Sequence, residues 1–340
     1  MFADFYGNAK TQEALEHMAA SGRIPHTLLL AGPEGVGKAT LARRFAERLL
    51  GHRQLIEKDD LSLAENVELL AEREKLPSEK RGDDPLVFAS LPDFVTFPPD
   101  GPLRQISIQQ MRLLKERAPF KPNQGRYRVF LVDRIDRANE QAANSLLKTL
   151  EEPPEHLVIF LTAENPYDLL PTIRSRSVIL HLTRLNDDEM EAFARDRSLD
   201  QAQRRLAVAG GSPGVAVSLD LEAYDKRRSA MLALLEAASG RAPFATWAKY
   251  SESIGASKSE KLDIYLRVLY GLLEDLLLLR HERTPRNRDV EGRLQPIASA
   301  VSLDWLVRAA KQVDELVELV RRNIQKSIAL DALAAGLRGR

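Results

Sequence analysis

The sequence contains no cysteine. That excludes a disulfide, a thiolate nucleophile and any zinc or iron–sulfur centre built on sulfur. Its six histidines (His17, His26, His52, His156, His181, His281) are scattered with no pair at i, i+4, which argues against a zinc site of any kind. Aromatic residues are few, 11 Phe, 7 Tyr and 2 Trp among 340 positions, so aliphatic side chains must fill the cores. Net charge is missing too, because 49 Lys and Arg balance 49 Asp and Glu. This disfavours a polybasic nucleic-acid coat or membrane binder, while one local basic face stays compatible with a balanced total. No stretch reaches the ~18 consecutive apolar residues of a membrane span. The opening MFADFYGNAK has neither the basic start nor the apolar run of a secretory signal. A cytoplasmic location is the expectation.

What is present reads as an ordinary folded protein, 29% charged and 44% hydrophobic. At ~150 residues per domain the length implies two or three domains. Thr27-Leu28-Leu29-Leu30-Ala31 is a short apolar run, the mark of a strand buried on both faces. Further strands are predicted at 93–97, 127–133, 157–162 and 178–182. Helices are predicted at 9–20, about 60–75, 39–50 with Leu41, Phe45 and Leu49 on one face, 107–117 and 138–152. Ser107 with Gln110 makes a capping box, and Pro153-Pro154 ends the 138–152 helix. Strands alternating with helices predict a parallel α/β sheet. After 183 the pattern changes. Asn186 and Glu189 form a second capping box, and Gly210-Gly211-Ser212-Pro213 separates short helices. From 223 onward there is no strand signal. Leu262, Tyr265, Val268/Leu269, Leu272/Leu273 and Leu276 recur at helical spacing, as do Leu306, Ala309, Val313, Leu316/Val317 and Val320.

Gly32-Pro33-Glu34-Gly35-Val36-Gly37-Lys38 matches G-x-x-x-x-G-K between a strand and a helix. Gly32, Gly35 and Gly37 let backbone N–H groups converge on phosphate oxygens, Lys38 neutralises their charge, and the helix N-terminus adds its dipole. A plain glycine turn is the alternative. A hydroxyl should follow the lysine to hold Mg²⁺, but the residue is Ala39. Thr40 comes one position late, rotated by ~100° around the helix. The strand at 127–133 ends in Asp133, which reads as a Mg²⁺ partner or as a strand-end cap. The next residue is Arg134, where an active ATPase of this architecture carries a water-activating glutamate. A guanidinium stays protonated and cannot accept that proton.

These motifs, with Asn144-Ser145-Leu146-Leu147-Lys148-Thr149-Leu150-Glu151-Glu152-Pro153-Pro154 and Leu170-Pro171-Thr172-Ile173-Arg174-Ser175-Arg176, resemble the bacterial clamp-loader AAA+ subunits of DNA polymerase III. The resemblance covers about 1–220. The tail, including 323–330, fits more loosely. It implies an α/β P-loop AAA+ domain (1–183), a small helical lid (184–222) and an all-α oligomerisation or collar domain (223–340). It places Thr162 at the sensor-1 position and Arg176 at the arginine that reaches a neighbouring subunit's ATP site. A surface or capping role is the alternative for Arg176, and Arg174 is a weaker substitute. Pro213-Gly214 stand where a sensor-2 arginine is expected. Relatives insert a four-cysteine zinc module; this chain has an insertion at roughly 51–90 without cysteine, so no zinc is expected.

Among these subunits the degraded ATPase residues point to the delta-prime type. That type is a stator that hydrolyses no ATP itself, with ATP binding left open. The implied partners are gamma/tau and delta subunits and, through the complex, the sliding clamp and primed DNA. The rival is an active AAA+ ATPase, a gamma/tau-type motor or a DNA-repair ATPase, needing Thr40 for Mg²⁺ and Glu34 or Glu164 in place of the missing glutamate. A small-molecule P-loop kinase is a distant third. Lys121, Arg126 and Arg128 fit a DNA-facing wall or a solvated charged face.

Overall fold

The computed structural model describes residues 2, 4–256, 262–320 and 325–338. The described chain groups into two compact units, Met1–Leu199 with Gly210–Ser218, and Asp200–Ala209 with Leu219–Arg340.

The first unit is a six-stranded sheet between helices. Its strands are β1 (Thr27–Ala31), β2 (Phe88–Leu91), β3 (Phe94–Phe97), β4 (Arg128–Val132), β5 (Leu157–Ala163) and β6 (Val178–His181), in the order β2-β3-β4-β5-β1-β6. All neighbours are parallel except β2, which pairs antiparallel with β3 at the edge. This is the mostly parallel α/β sheet that the alternation of strands and helices predicts. The edge strand β2 is an addition that the pattern did not predict.

Strands β1, β3, β4 and β5 are buried along their whole length, which is why they read as unbroken apolar runs. Alternate side chains still go to opposite faces. Leu29, Phe130, Ile159 and Leu161 meet Met111, Leu114, Leu146 and Leu150 on one side. Leu28, Leu30, Leu131 and Phe160 meet Leu15, Leu41 and Phe45 on the other. Edge-on ring pairs add to this packing: Phe45 with Phe160 at 5.5 Å joins a helix to the sheet, and Phe97 with Phe130 at 5.7 Å joins β3 to β4.

The pairing Ala31↔Ala163 and Val132↔Leu161 brings the carboxyl ends of β1, β4 and β5 side by side. In open α/β sheets that edge is where ligands bind. The helices around it are Ala9–Ser21, Lys38–Leu50, Ile108–Arg117 and Glu140–Glu151. Both predicted capping boxes form, Ser107 with Gln110 and Asn186 with Glu189.

The 51–90 insertion carries three helices, Arg53–Glu57, Ala64–Glu74 and Ser78–Asp83, and ends in β2. Ion pairs attach it to the sheet domain: Arg43 with Asp60, Arg44 with Glu57, and the buried Arg73 with Asp100 at 2.8 Å. Among the described residues no three His, Asp or Glu side chains cluster as metal ligands.

The second unit is helical throughout its described residues. Leu221–Ala238, Phe244–Ala256, Leu262–Arg280, Glu291–Ala300, Leu303–Val320 and Lys326–Arg338 pack around Trp247, Leu272, Leu276, Leu294, Ala309, Val313 and Leu330. The predicted stripe from Leu262 to Leu276 is buried as expected. In the other stripe Leu306, Ala309 and Val313 are buried and Val317 is exposed, while the side chain of Val320 lies outside the described residues. Of the 323–330 tail, Asn323 and Ile324 also lie outside them, and Ala329 and Leu330 are buried. Asp275 is buried and accepts the Arg286 N–H at 2.6 Å and the Asn287 side-chain amide at 2.7 Å, closing the loop after its helix. No helix among the described residues is long and apolar enough to cross a membrane.

Candidate functional site

The loop between β1 and the Lys38–Leu50 helix folds as the sequence demands. Gly35 (φ 76°) and Gly37 (φ 96°) have left-handed backbones, a conformation that costs any residue with a Cβ. Space is also short, since a Cβ on Gly35 would stand 2.8 Å from Cγ2 of Val215. The amide of Gly214 donates to the Gly35 carbonyl at 2.8 Å. Gly214, one of the two residues that stand in place of a sensor-2 arginine, therefore rests directly on the loop.

Lys38 opens the helix and is only 9% exposed. Its ammonium donates to the carbonyls of Gly32 at 2.7 Å and Pro33 at 2.8 Å. Burial holds its pKa below the usual lysine value, and the nearby Arg134 adds to that. The carboxylates of Glu164, Asp133 and Asp136 oppose it.

At the ends of the neighbouring strands, the Thr162 hydroxyl donates to Oδ1 of Asp133 at 2.6 Å and accepts the backbone N–H of Arg134 at 2.7 Å. This fixes Arg134 in a left-handed backbone, φ 59° and ψ 56°. Its guanidinium donates to Glu34 at 3.2 Å and to Glu164 at 2.5 Å. Burial works against that charge, but Glu34, Glu164, Asp136 and Asp133 outweigh it and hold the pKa above the usual arginine value. Burial also raises the pKa of Asp136, with Arg134 pulling it down.

The predicted residues Gly32, Gly35, Gly37, Lys38, Asp133 and Thr162 thus converge on one edge of the sheet. The backbone cradle, Lys38 and the helix N-terminus fit a phosphate. A divalent cation fits poorly. Ala39 offers no oxygen from its side chain, Thr40 faces Arg43 at 3.5 Å, and Asp133 already accepts from Thr162. Glu34 and Glu164, the two carboxylates that could replace the missing glutamate, are both ion-paired to Arg134.

Arg176 contacts a different set of groups. It lies exposed at the end of the Pro171–Ser175 helix, paired with Glu151 at 2.8 Å and donating to the Thr172 carbonyl at 3.1 Å. Arg174 stacks over Tyr167 with its guanidinium carbon 5.2 Å from the ring centroid. Arg128 is not on the surface, where either reading would place it. It is buried, and donates to the carbonyls of Arg117 at 2.8 Å, Phe120 at 3.1 Å and Pro92 at 3.3 Å. It is a structural strut, while Lys121 remains exposed.

Comparison with known proteins adds an independent line. The family model described as "DNA polymerase III, delta subunit" matches residues 7–186. The DNA polymerase III subunit gamma/tau of Mycobacterium tuberculosis (strain H37Rv) is 32% identical over 182 residues, 52% of this chain and 27% of that protein. The subunit tau of Escherichia coli (strain K12) is 29% identical over 189 residues, 56% of this chain and 26% of that protein. The match spans about a quarter of the length of these curated relatives. Among solved structures, a DNA polymerase III gamma subunit-related protein of Thermotoga maritima aligns with a TM-score of 0.48 at 18% identity, covering 96% of this chain and 99% of that one.

Proposed function

The chain belongs to the DNA polymerase III delta subunit family, a clamp-loader family, and from that premise we propose that it is a delta-prime-type stator of the clamp-loader complex. In this reading it hydrolyses no ATP. It lends Arg176 to the ATP site of a neighbouring gamma/tau-type subunit, sits beside a delta subunit, and helps the complex place the sliding clamp on primed DNA in the cytoplasm. Residues 1–183, 184–222 and 223–340 act as AAA+ domain, lid and collar.

The observation that carries the reading is Arg134. A residue that cannot take a proton stands after Asp133, and both carboxylates within its reach are bound to its own guanidinium. Loss of a general base alone costs ~10²–10⁴-fold in rate. The exposed position of Arg176 supports donation, since an arginine supplied in trans stabilises charge developing at phosphate.

The experiment has two arms. The purified chain should show no Mg²⁺-dependent ATP turnover. Mixed with gamma/tau-type subunits it should raise their turnover, and Arg176→Ala should lower that by about tenfold or more. An unchanged rate with Arg176→Ala counts against the reading. A second reading, an active motor, draws on the identity to gamma/tau proteins. It requires robust turnover by the isolated chain that Lys38→Ala abolishes.

A further inference from the structure

The loop before Lys38, the end of β4 and the end of β5 are separate segments that only contacts between them hold together. Here one cation and two carboxylates do so. Glu34 belongs to the loop, Arg134 follows β4, and Glu164 follows β5; the guanidinium joins them at 3.2 Å and 2.5 Å. Arg134 is itself held in a left-handed backbone by the Thr162 hydroxyl. Such a conformation persists in a non-glycine residue only where the surroundings enforce it. Two of the three ammonium donors of Lys38 are likewise committed to loop carbonyls.

We infer that Glu34 and Glu164 are specificity-determining residues that act as resident anions: they occupy Arg134 where a nucleotide phosphate would, brace the loop to both strand ends, and keep a triphosphate out. This rests on the non-hydrolysing reading above and deepens it by naming what replaces nucleotide. Electrostatics point the same way. When ionised, Glu34, Asp133, Asp136 and Glu164 give the neighbourhood of Lys38 and Arg134 four negative charges against two positive ones, and a triphosphate adds more of the majority sign. The side chains of Arg134, Glu34 and Glu164 are 27%, 37% and 41% exposed, so the bridge lies where an entering ligand would meet it.

The test is calorimetric titration of the full chain with ATP in EDTA, so that no divalent cation contributes. Glu34→Gln/Glu164→Gln should bind ATP at least ~10-fold more tightly than the parent, with each single variant in between. Without nucleotide the double variant should unfold a few °C lower than the parent, and ATP should restore the difference. Asp136→Asn removes a neighbouring carboxylate that does not bridge to Arg134, and should change affinity by less than about threefold. Equal affinity in parent and double variant overturns the inference. So does tight micromolar binding by the parent, or a gain from Asp136→Asn as large as that of the bridging pair. The donor reading fails separately, because it is judged by turnover of the mixed subunits with Arg176→Ala.

Discussion

Single residues carry much of the energetic character of the sheet domain, and Asp59 is one that sequence patterns pass over. Its carboxylate is fully buried; Oδ1 accepts the Ser90 N–H at 3.1 Å, and Oδ2 has no hydrogen-bond partner. Burial pushes its pKa up from 3.8. The folded protein therefore holds this proton more tightly than the unfolded chain. The resulting stability is fully present below the unfolded pKa and is lost as pH rises through the raised folded pKa. Asp59→Asn should stabilise the protein at pH 7 by on the order of 1 kcal/mol, and the gain should vanish near pH 3 (roughly the unfolded limit). Urea unfolding at the two pH values checks this, and an equal gain at both contradicts it. Two glycines offer a paired test. Gly35→Ala meets both a positive φ and Val215, and should cost about 1–3 kcal/mol. Gly22→Ala has φ 65° but open space around it, and should cost only about 1 kcal/mol. Residue identity alone gave two readings of Arg128, a DNA-facing wall or a solvated charged face, and its burial against three carbonyls fits neither.

Among elements, helix starts were legible because a cap is a local contact. Ser107 and Gln110 bond across three residues, and the sequence spacing already contains that geometry. What spacing did not contain is the second task of Gln110, whose amide also donates to the carbonyls of Leu86 at 2.8 Å and Pro98 at 2.7 Å in the interior. Ser107→Ala should therefore cost about 1 kcal/mol, the ordinary value of a cap. Gln110→Ala should cost more, about 2–3 kcal/mol, because it strands two buried carbonyls. Guanidinium unfolding of the two variants measures the difference, and equal losses would show that the amide contributes nothing beyond the cap. The strand β2 escaped prediction for a related reason. It has four residues, its middle pair is exposed, and it needs only β3 as a neighbour, so no apolar run or alternation marks it.

At the scale of the whole molecule, the two units have separate apolar interiors. The short segments after residue 199 are assigned by particular contacts. Arg204 pairs with Asp225, and Arg205 donates to the Leu219 carbonyl at 2.6 Å, so Asp200–Ala209 groups with the helical unit. The Gly214–Gly35 bond, with the Leu185 amide donating to the Gly211 carbonyl at 2.8 Å, groups Gly210–Ser218 with the sheet unit. Separate cores predict two transitions in differential scanning calorimetry. Leu272→Ala, at a fully buried position of the helical unit, should cost about 2–5 kcal/mol and lower only one of them. A single transition, or two that move together, would contradict independent cores.

By itself, the sequence determined every strand but β2, the capped helix starts, the glycine loop that ends at Lys38, and the missing hydroxyl at Ala39. Each of these is a relation between residues a few positions apart, where the helix and strand repeats act directly. The tertiary structure alone decided that Arg134 binds Glu34, 100 positions away, and Glu164, 30 positions away. Which opposite charges meet depends on which strand ends become neighbours, and that follows from the order β4-β5-β1 in the sheet.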